Sequence, residues 1–428
     1  MACRRPTFVP RLLATLDRQE AIRIKARQLG VVRRQGKVDA FALVAVVVLG
    51  VSLRGTTAIA QLGQTLASVT GQRLARSSFW DRFTPAFAKL VRWLLDEHVA
   101  EARARAFTPP SALARFKDVI AVDATVVGLH DALAGTWRGT RTNSAVAALK
   151  VHAWVRAFTG ELLKYRVTSE AFPDCHAFGI DHQIHGCLLL FDKGYSSPSL
   201  WRRVASVGGY FLTRLPADRD PRIVAIHRRH RGRSRRAVGR TLRTVLPNLQ
   251  RAFLDVDAAF RCHVRKYRTR TGHFVESSFR VIAVRQRDGR YELFVTNAPP
   301  EMLPAELIAD TYRLRWEVET FFKTSKSGLG LDELPSRQPE IVAALVYASL
   351  LRASTAMQAL ARFRRTVSDP MGLPINPGQW VKWWSVQLHG LAAAIVGAGD
   401  ALSTASIAIM LADPNVRRTT TRTRWSVA

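Results

Sequence analysis

LIADTYRLRWEVETFFKTSK, residues Leu307–Lys326, contains neither proline nor glycine and is rich in residues that favour helices. On a helix that advances about 100° per residue, one narrow face carries a phenol, a guanidinium, a carboxylate and two ammonium groups, from Tyr312, Arg315, Glu319, Lys323 and Lys326. Glu317 falls on the opposite side of this helix. Taken alone, the stripe is most simply a solvated face with intrahelical ion pairs, because Arg315 and Glu319 are four residues apart.

The chain is strongly basic. Its 428 residues carry 64 lysines and arginines against 33 acidic residues, a formal net charge of +31, while 47% of the residues are hydrophobic. A chain of this length and apolar content predicts two or three globular domains. So large a positive charge indicates a polyanionic partner, above all double-stranded DNA. A membrane surface is the less favoured partner, because the basic residues are spread along the whole chain.

The cysteines and apolar runs predict a cytoplasmic protein with no membrane partner. The four cysteines are scattered without a Cys-x-x-Cys pair, which argues against a zinc site or a disulfide framework. No apolar segment follows Met1–Pro6, so we expect no signal peptide. The run Ala40–Leu53 is too short to span a bilayer and predicts a buried helix.

The two ends of the chain read as helical. Residues 1–107 predict a DNA-binding helical region, in which the turn at Thr70–Gly71 is compatible with a helix-turn-helix or with any small helical bundle. Residues 341–428 predict a second helical region with a basic tail and a dimerisation role. Its expected helices are Ile341–Phe363 and Gln379–Leu411.

The middle of the chain, residues 112–340, predicts an α/β catalytic domain built on a mixed sheet. Two apolar runs, Asp118–Asp123 and Cys187–Asp192, read as buried strands that each end in a carboxylate. The other expected elements are a hairpin of Ala147–Arg156 and Glu161–Val167, helices at His176–His182 and Ser199–Val207, and a strand at Tyr210–Thr213.

Residues 216–304 predict a β-rich insertion in this domain. Its β-like segments are Ile223–Ile226, Ala252–Val256, Cys262–Tyr267, Phe274–Val284 and Tyr291–Val295. A basic run in the insertion is either a solvated loop or a clamp on the phosphate backbone, and the net charge favours the clamp. The clamp residues are Arg228, Arg229, Arg231 and Arg233.

The acidic strand ends suggest metal chemistry. If the two apolar strands are parallel neighbours, about 4.8 Å apart, Asp123 and Asp192 lie side by side. Two close carboxylates repel unless they are protonated or bridged by a cation. With Glu319 they would form a hard oxygen set for two Mg²⁺ or Mn²⁺ ions, which suits phosphodiester chemistry. Each aspartate alone is equally well explained as a strand-end cap.

Three blocks of sequence together resemble the bacterial DDE transposases of the insertion-sequence-four family. The first block is Val119–Thr125, followed by Leu129, Trp137–Gly139 and Lys150–His152. The second block is Leu189–Tyr195. The third is a tyrosine-arginine-glutamate-lysine signature at Tyr312, Arg315, Glu319 and Lys326.

The resemblance implies an RNase H-like catalytic core and a homodimer that pairs two transposon ends. It implies cut-and-paste transposition, in which the ends are nicked, closed as hairpins, reopened and joined to target DNA. The metal ligands and catalytic residues would be Asp123, Asp192 and Glu319. The residues that hold DNA phosphates would be Tyr312, Arg315 and Lys326, with Lys323 assisting.

One departure from the hairpin-forming relatives concerns base stacking. Those relatives place a tryptophan in the insertion, whereas no tryptophan occurs here between Trp201 and Trp316. Tyr291 or Phe294 are the aromatic residues expected to replace it. Besides an active transposase, two alternatives stay open: a catalytically idle end-binding repressor derived from a transposase, and a site-specific nuclease.

Overall fold

The computed structural model describes residues 19–32, 39–49, 59–71, 73–141, 145–177, 179–216, 218–227, 237–265, 272–332, 334, 336–365, 370, 372–373 and 375–385. Its helices are α1 Gln19–Gln28, α2 Ala40–Leu49, α3 Ile59–Thr70, α4 Arg76–Trp80, α5 Pro85–Ala104, α6 Pro198–Ser206, α7 Leu242–Val245, α8 Ile308–Arg313, α9 Trp316–Leu329 and α10 Pro339–Phe363. Its strands are β1 Val119–Gly128, β2 Arg138–Arg141, β3 Ala145–Arg156, β4 Leu162–Ser169, β5 Leu188–Phe191, β6 Tyr210–Arg214, β7 Arg222–Ile226, β8 Phe253–Arg265, β9 Gly272–Arg285 and β10 Tyr291–Thr296.

The centre of the fold is a mixed sheet with strand order β4-β3-β1-β5-β6. β3 runs antiparallel to β1, whereas β5 and β6 run parallel to β1 and are joined by α6. This order and these directions are those of an RNase H-like core, so the predicted α/β fold class is confirmed. The predicted hairpin is β3 and β4, which turn at Gly160 with a φ of +70° that favours glycine.

The β-rich segment after β6 extends this sheet. β10 pairs with β6 in antiparallel fashion, and β9, β8 and β7 follow outward in that order. The two predicted segments Ala252–Val256 and Cys262–Tyr267 are wrong as separate strands, because β8 runs through both and pairs along its whole length with β9.

Three local predictions are corrected. The expected helix His176–His182 is replaced by two short turns, Asp174–His176 and His182–Ile184, separated by Gly179. β1 does not end at Asp123 but continues to Gly128 through the β-branched run Thr125-Val-Val127. The remaining correction concerns the Leu307–Lys326 helix.

Leu307–Lys326 forms two helices and not one. Between α8 and α9, Leu314 and Arg315 donate backbone hydrogen bonds three residues back, to Thr311 and Tyr312, at 3.1 and 3.0 Å. Val318 donates to Arg315 at 3.2 Å in the same tight pattern. A turn tightened in this way differs from the four-residue repeat of an α-helix. Residues on either side therefore no longer share one continuous helical face.

Apolar side chains cover both faces of the sheet. One face packs with α1 to α5, α9 and α10 in a single apolar cluster that includes Ala121 and Val151. The other face packs beneath α6 and continues onto β8 and β9, around Trp201 and Phe211. The described part of the N-terminal region thus shares its core with the sheet. The predicted division into regions 1–107, 112–340 and 341–428 stays a prediction.

The long helix α10 lies in this core, as expected for Ile341–Phe363. By length and hydropathy it could cross a membrane, but 83% of its most apolar window is buried inside the protein. That burial is typical of a core helix. A further helical segment covers residues 377–385, and the rest of the expected Gln379–Leu411 helix and the basic tail lie outside the described residues. The same holds for residues 50–53 of the expected Ala40–Leu53 helix.

Candidate active site

The parallel pairing of β1 and β5 brings two carboxylates together. Val122 and Phe191 are partners in adjacent strands, and the next residue of each strand is Asp123 and Asp192. The expected side-by-side placement is therefore what the sheet provides. The pairing with β5 stops at Val122, so the remainder of β1 forms an edge beside Asp192.

Arg315 lies among all three predicted carboxylates. Its Nη1 is 3.3 Å from Asp123 Oδ2, and its Nη2 donates a hydrogen bond to Glu319 Oε1. Its Nε lies 4.0 Å from Asp192 Oδ1. The tight turn after α8 places the guanidinium here, one turn before Glu319 on α9. Side chains from three distant parts of the sequence thus meet around a single positive charge.

The carboxyl of Asp123 holds its proton more tightly than an exposed aspartate does. The pKa of its carboxyl is raised to about 6, and burial is the largest cause. The nearby carboxylates of Asp192 and Glu319 contribute to this increase in the pKa. The backbone N–H of Ala124, which donates to Asp123 Oδ1 at 2.8 Å, and the Arg315 guanidinium act in the opposite direction. One guanidinium does not satisfy the negative charge collected here.

The other residues of the signature occupy distinct positions. The Tyr312 ring is buried between Phe294, whose ring centroid is 5.4 Å away, and the Arg214 guanidinium at 5.0 Å. Burial raises the pKa of Tyr312 to about 12, so its phenol is neutral at pH 7. Lys326 Nζ donates to the carbonyl of Val126 on β1 at 2.8 Å.

Lys323 is exposed, as expected of a residue that could reach solvent or a phosphate. Lys326 also lies 3.5 Å from Asp332 Oδ1. The predicted common face is therefore divided. Tyr312 is directed into the protein, Arg315 and Glu319 line the site, and the two lysines follow along α9.

The expected aromatic substitutes differ from their predicted role. The Phe294 ring is fully buried, so it has no free face for a nucleobase and that prediction is wrong. Tyr291 is half-buried, and its hydroxyl donates to the carbonyl of Arg251 at 2.6 Å. Its DNA-binding role stays a prediction. The four arginines of the predicted clamp, Arg228, Arg229, Arg231 and Arg233, lie outside the described residues.

Trp316 is an aromatic residue at the site that the sequence analysis missed. It follows Arg315 directly, its side chain is 62% exposed, and the Arg315 guanidinium lies 5.9 Å from its ring. Large aromatic side chains are usually buried, so an exposed ring next to the Arg315 guanidinium is a candidate for ligand contact. Its position next to the signature arginine was the available signal in the sequence.

The site fits divalent cations by its chemistry. Within the described ranges, no three acidic, histidine or cysteine side chains are arranged as a ready ligand cluster. The three carboxylates instead surround Arg315. They offer hard oxygen ligands of the kind that Mg²⁺ and Mn²⁺ prefer, and their charge exceeds that of the guanidinium. The residues present therefore fit such an ion.

Comparison with known proteins identifies the family. Residues 114–353 match the family described as the transposase DDE domain, which is more than half of the chain. The chain belongs to the transposase DDE domain family. The match begins just before β1 and ends within α10, so it covers the sheet and the whole site.

Individual relatives of this DDE protein are insertion-sequence transposases. Over 374 residues it is 22% identical to the transposase for insertion sequence element IS231E of Bacillus thuringiensis subsp. finitimus, which covers 80% of this chain and 77% of that one. Over 88 residues it is 38% identical to the putative transposase InsL for IS186A of Escherichia coli strain K12, covering 18% and 24% of the two chains.

Among solved structures, the chain is similar to the piggyBac transposase in its synaptic complex with hairpin DNA. The TM-score is 0.48 at 9% identity, over 94% of this chain and 86% of the other. The predicted recognition as a bacterial insertion-sequence DDE transposase, with DNA transposition as its function, is confirmed at the level of the family.

Proposed function

We propose that this protein excises and inserts a bacterial insertion sequence by cut-and-paste transposition, through divalent-ion-dependent phosphodiester hydrolysis and strand transfer. The observation that carries the proposal is the meeting of Asp123, Asp192 and Glu319 around Arg315. Three carboxylates against one guanidinium leave two negative charges unbalanced. A site of this charge is suited to take up Mg²⁺ or Mn²⁺ together with an anionic phosphate.

Asp123, Asp192 and Glu319 are the residues that would hold two Mg²⁺ or Mn²⁺ ions. Bound there, the ions would supply Lewis-acid stabilisation of the phosphodiester and an activated water or 3′-hydroxyl. Asp123 must give up its proton to serve as a ligand, and its raised pKa makes this step sensitive to pH near 6. Asp192 is the most exposed of the three and lies on the solvent side.

Arg315 is proposed to change partner when DNA arrives. In the protein without DNA it holds the carboxylates together, and its planar donor fork is equally suited to a phosphate oxygen. With the three carboxylates held by divalent ions, the Arg315 guanidinium would be free to bind the DNA backbone. Lys323 is exposed on α9, which follows Arg315, and Lys193 is exposed next to Asp192, so both would add phosphate contacts.

The exposed Trp316 ring supports a hairpin intermediate. Closing a DNA end into a hairpin bends the terminal nucleotides sharply, and an unstacked base needs an aromatic face. Trp316 offers such a face beside Arg315. The base-stacking role therefore passes from Phe294 to Trp316 in our proposal.

The partners are proposed to be the terminal inverted repeats of the element and a target duplex. The net charge of +31 favours binding to both. We further propose that two copies of the chain join the two ends in a synaptic complex, in the bacterial cytoplasm at the nucleoid.

The direct test uses the purified protein with a plasmid that carries the DNA sequences flanking its gene. We expect Mg²⁺-dependent nicking, hairpin ends and strand-transfer products. Asp123→Asn, Asp192→Asn and Glu319→Gln should each lower cleavage by about 10³-fold or more, because each removes a ligand charge. Binding to the ends in a gel-shift assay should persist.

The matched control is Glu317→Gln, which removes the same charge from the same helix on its other side and should leave cleavage unchanged. Wild-type cleavage in any one of the three site variants would refute the assignment of that residue. End binding without cleavage in the wild-type protein would favour the idle repressor. Cleavage without joined products would favour a nuclease.

A further inference from the structure

A charged cluster on the reverse face of the sheet contacts the turn that carries Asp192. Lys150 on β3 donates through Nζ to Asp174 Oδ1 at 3.0 Å and to the carbonyl of Phe172 at 3.2 Å. His152, two residues further on β3, is completely buried, and its Nδ1 lies 3.7 Å from the same Asp174 oxygen. The function described above uses none of these side chains.

The strand register places this cluster behind the site. In the β1–β3 pair, Asp123 is opposite Ala153, whereas His152 is opposite Ala124. Neighbouring residues of a strand point to opposite faces, so the histidine is on the face away from Asp123. Lys150 is two residues from His152 and shares its face. Lys150 and His152 therefore lie behind the three carboxylates and not among them.

Asp174 connects the cluster to the site. It opens the short turn Asp174–His176, which packs against the turn Lys193–Tyr195. A Cβ placed on Gly194 would lie 3.9 Å from Asp174 Oδ2, an ordinary contact distance. Gly194 is only two residues after Asp192, so the Asp174 carboxylate lies close to the backbone that continues from this proposed ligand.

Asp192 depends on such backbone support more than the other two carboxylates. It is the most exposed of the three, and its 4.0 Å separation from Arg315 exceeds a hydrogen-bond distance. Its position is set by the turn itself, in which Tyr195 N–H donates to the Asp192 carbonyl at 3.0 Å. Thr213 Oγ1 also lies 3.4 Å from that carbonyl.

We propose that Lys150, His152 and Asp174 form a positioning cluster that fixes the Asp192 turn and thereby sets the distance between Asp192 and Asp123. Lys150 holds the Asp174 carboxylate, and His152 packs beside it and reaches Thr168 of β4 through Nε2 at 3.0 Å. Burial lowers the pKa of His152 to about 4, so the ring is neutral at pH 7 and Asp174 balances Lys150 alone.

The inference has one consequence for the rigidity of the Asp192 turn and another for metal binding. Only the consequence for metal binding rests on the proposed function. Residues that orient a ligand from behind typically change metal affinity 10- to 100-fold when they are replaced. The effect on the turn itself does not require any metal or DNA. The two consequences can therefore be measured separately.

The test replaces either partner of the charge pair, as Lys150→Met or Asp174→Asn, in the full chain. Hydrogen–deuterium exchange of the peptide covering residues 192–197 should rise about tenfold in the protein without metal or DNA, because a charge-assisted hydrogen bond is lost. Mn²⁺ binding followed by electron paramagnetic resonance should weaken about tenfold or more. Lys150→Arg keeps the positive charge, so it should retain wild-type exchange at residues 192–197 and wild-type Mn²⁺ binding.

The chain offers a matched control in Lys164→Met. Lys164 makes the same kind of contacts, with the Gly179 carbonyl at 3.2 Å and Asp181 Oδ2 at 3.6 Å, on the neighbouring strand β4. It should change neither exchange at residues 192–197 nor Mn²⁺ binding.

Asp174 is partly exposed and asparagine has nearly the same shape, so Asp174→Asn is the variant to use if Lys150→Met fails to fold. Unchanged exchange at residues 192–197 in Asp174→Asn would overturn the positioning role, whatever the metal result. A wild-type protein that binds no Mn²⁺ would count against the proposed function instead. Increased exchange in the variants, with the control unchanged, would still support the positioning cluster in that case.

Discussion

Two charged clusters touch strand β1, and each is built around an arginine. Near the start of the strand, Arg156 binds Asp118 at 2.8 Å and Glu161, and Arg105 binds Glu161 at 2.7 Å. Further along the strand, Arg315 meets Asp123, Asp192 and Glu319. Both arrangements gather carboxylates around a guanidinium, yet they differ in charge and in exposure.

The first cluster is balanced in charge and mostly buried. Two arginines face two carboxylates, and the side chains of Arg156, Asp118 and Glu161 are at most 10% exposed. Buried charges are tolerated when they are paired and hydrogen-bonded in this way. The second cluster has three carboxylates for one arginine, with exposures of 22%, 44% and 32% for Asp123, Asp192 and Glu319. An open cluster with unbalanced charge is suited to binding, whereas a closed and neutral one is suited to holding the fold.

The largest expected effect breaks the balanced cluster. Arg156→Met leaves two buried carboxylates with one arginine fewer, and it should lower the free energy of unfolding by about 3–5 kcal/mol. Urea titration followed by circular dichroism measures this. Arg222→Met is the control, since its pair with Glu276 is exposed on both sides, and it should cost about 0.5 kcal/mol or less. Equal losses of unfolding free energy in the two variants would contradict the contrast between the buried cluster and an exposed ion pair.

The second effect concerns pH and the open cluster. The pKa of Asp123 is raised from 3.8 to about 6, so the folded protein holds a proton that the unfolded chain has lost between these values. Its stabilising contribution is complete below about pH 4 and is lost as the pH rises through about 6. Between pH 4 and 7.5, the unfolding free energy of the wild type relative to Asp123→Asn should fall by up to about 3 kcal/mol, measured in EDTA. A difference that does not vary with pH would rule this out.

The third effect is the stability that the protein gains when a divalent ion binds the unbalanced open cluster. At a Mg²⁺ or Mn²⁺ concentration about 100 times the dissociation constant, the wild type should gain about 2.7 kcal/mol of stability. Glu319→Gln should lose most of this gain because one ligand charge is missing, whereas Arg156→Met should keep it. Thermal unfolding with and without the ion gives the comparison. The same gain in both variants would show that the ion binds elsewhere.

The smallest effect tests the exposed ring beside the open cluster. Trp316→Ala should weaken binding of a DNA end carrying an unstacked terminal base by about 1–3 kcal/mol, and Trp316→Phe should retain most of the affinity. A 2-aminopurine base at the end reports stacking through its quenched fluorescence. If Trp316→Ala leaves both quenching and affinity as they are in the wild type, the ring does not take up a base.

Sequence alone determined the class of the fold and predicted which residues form the candidate site. Apolar runs before Asp123 and Asp192 predicted two buried strands, and the i,i+4 spacing of Arg315 and Glu319 predicted their contact, because these patterns depend only on local periodicity. The resemblance of three short blocks named the family. These signals are local, so they can be recognised without knowing any contact between distant segments of the chain.

Tertiary structure decided how the charges are shared. No local pattern shows that one guanidinium lies among three carboxylates, that the chain tightens at Leu314, or that Asp174 packs against the Asp192 turn. It also decided that β10 joins β6, so that the β-rich segment continues the core sheet. The physical reason is that burial, pairing and electrostatic balance arise between segments far apart in the chain, whereas sequence patterns report only what neighbours along the chain prefer.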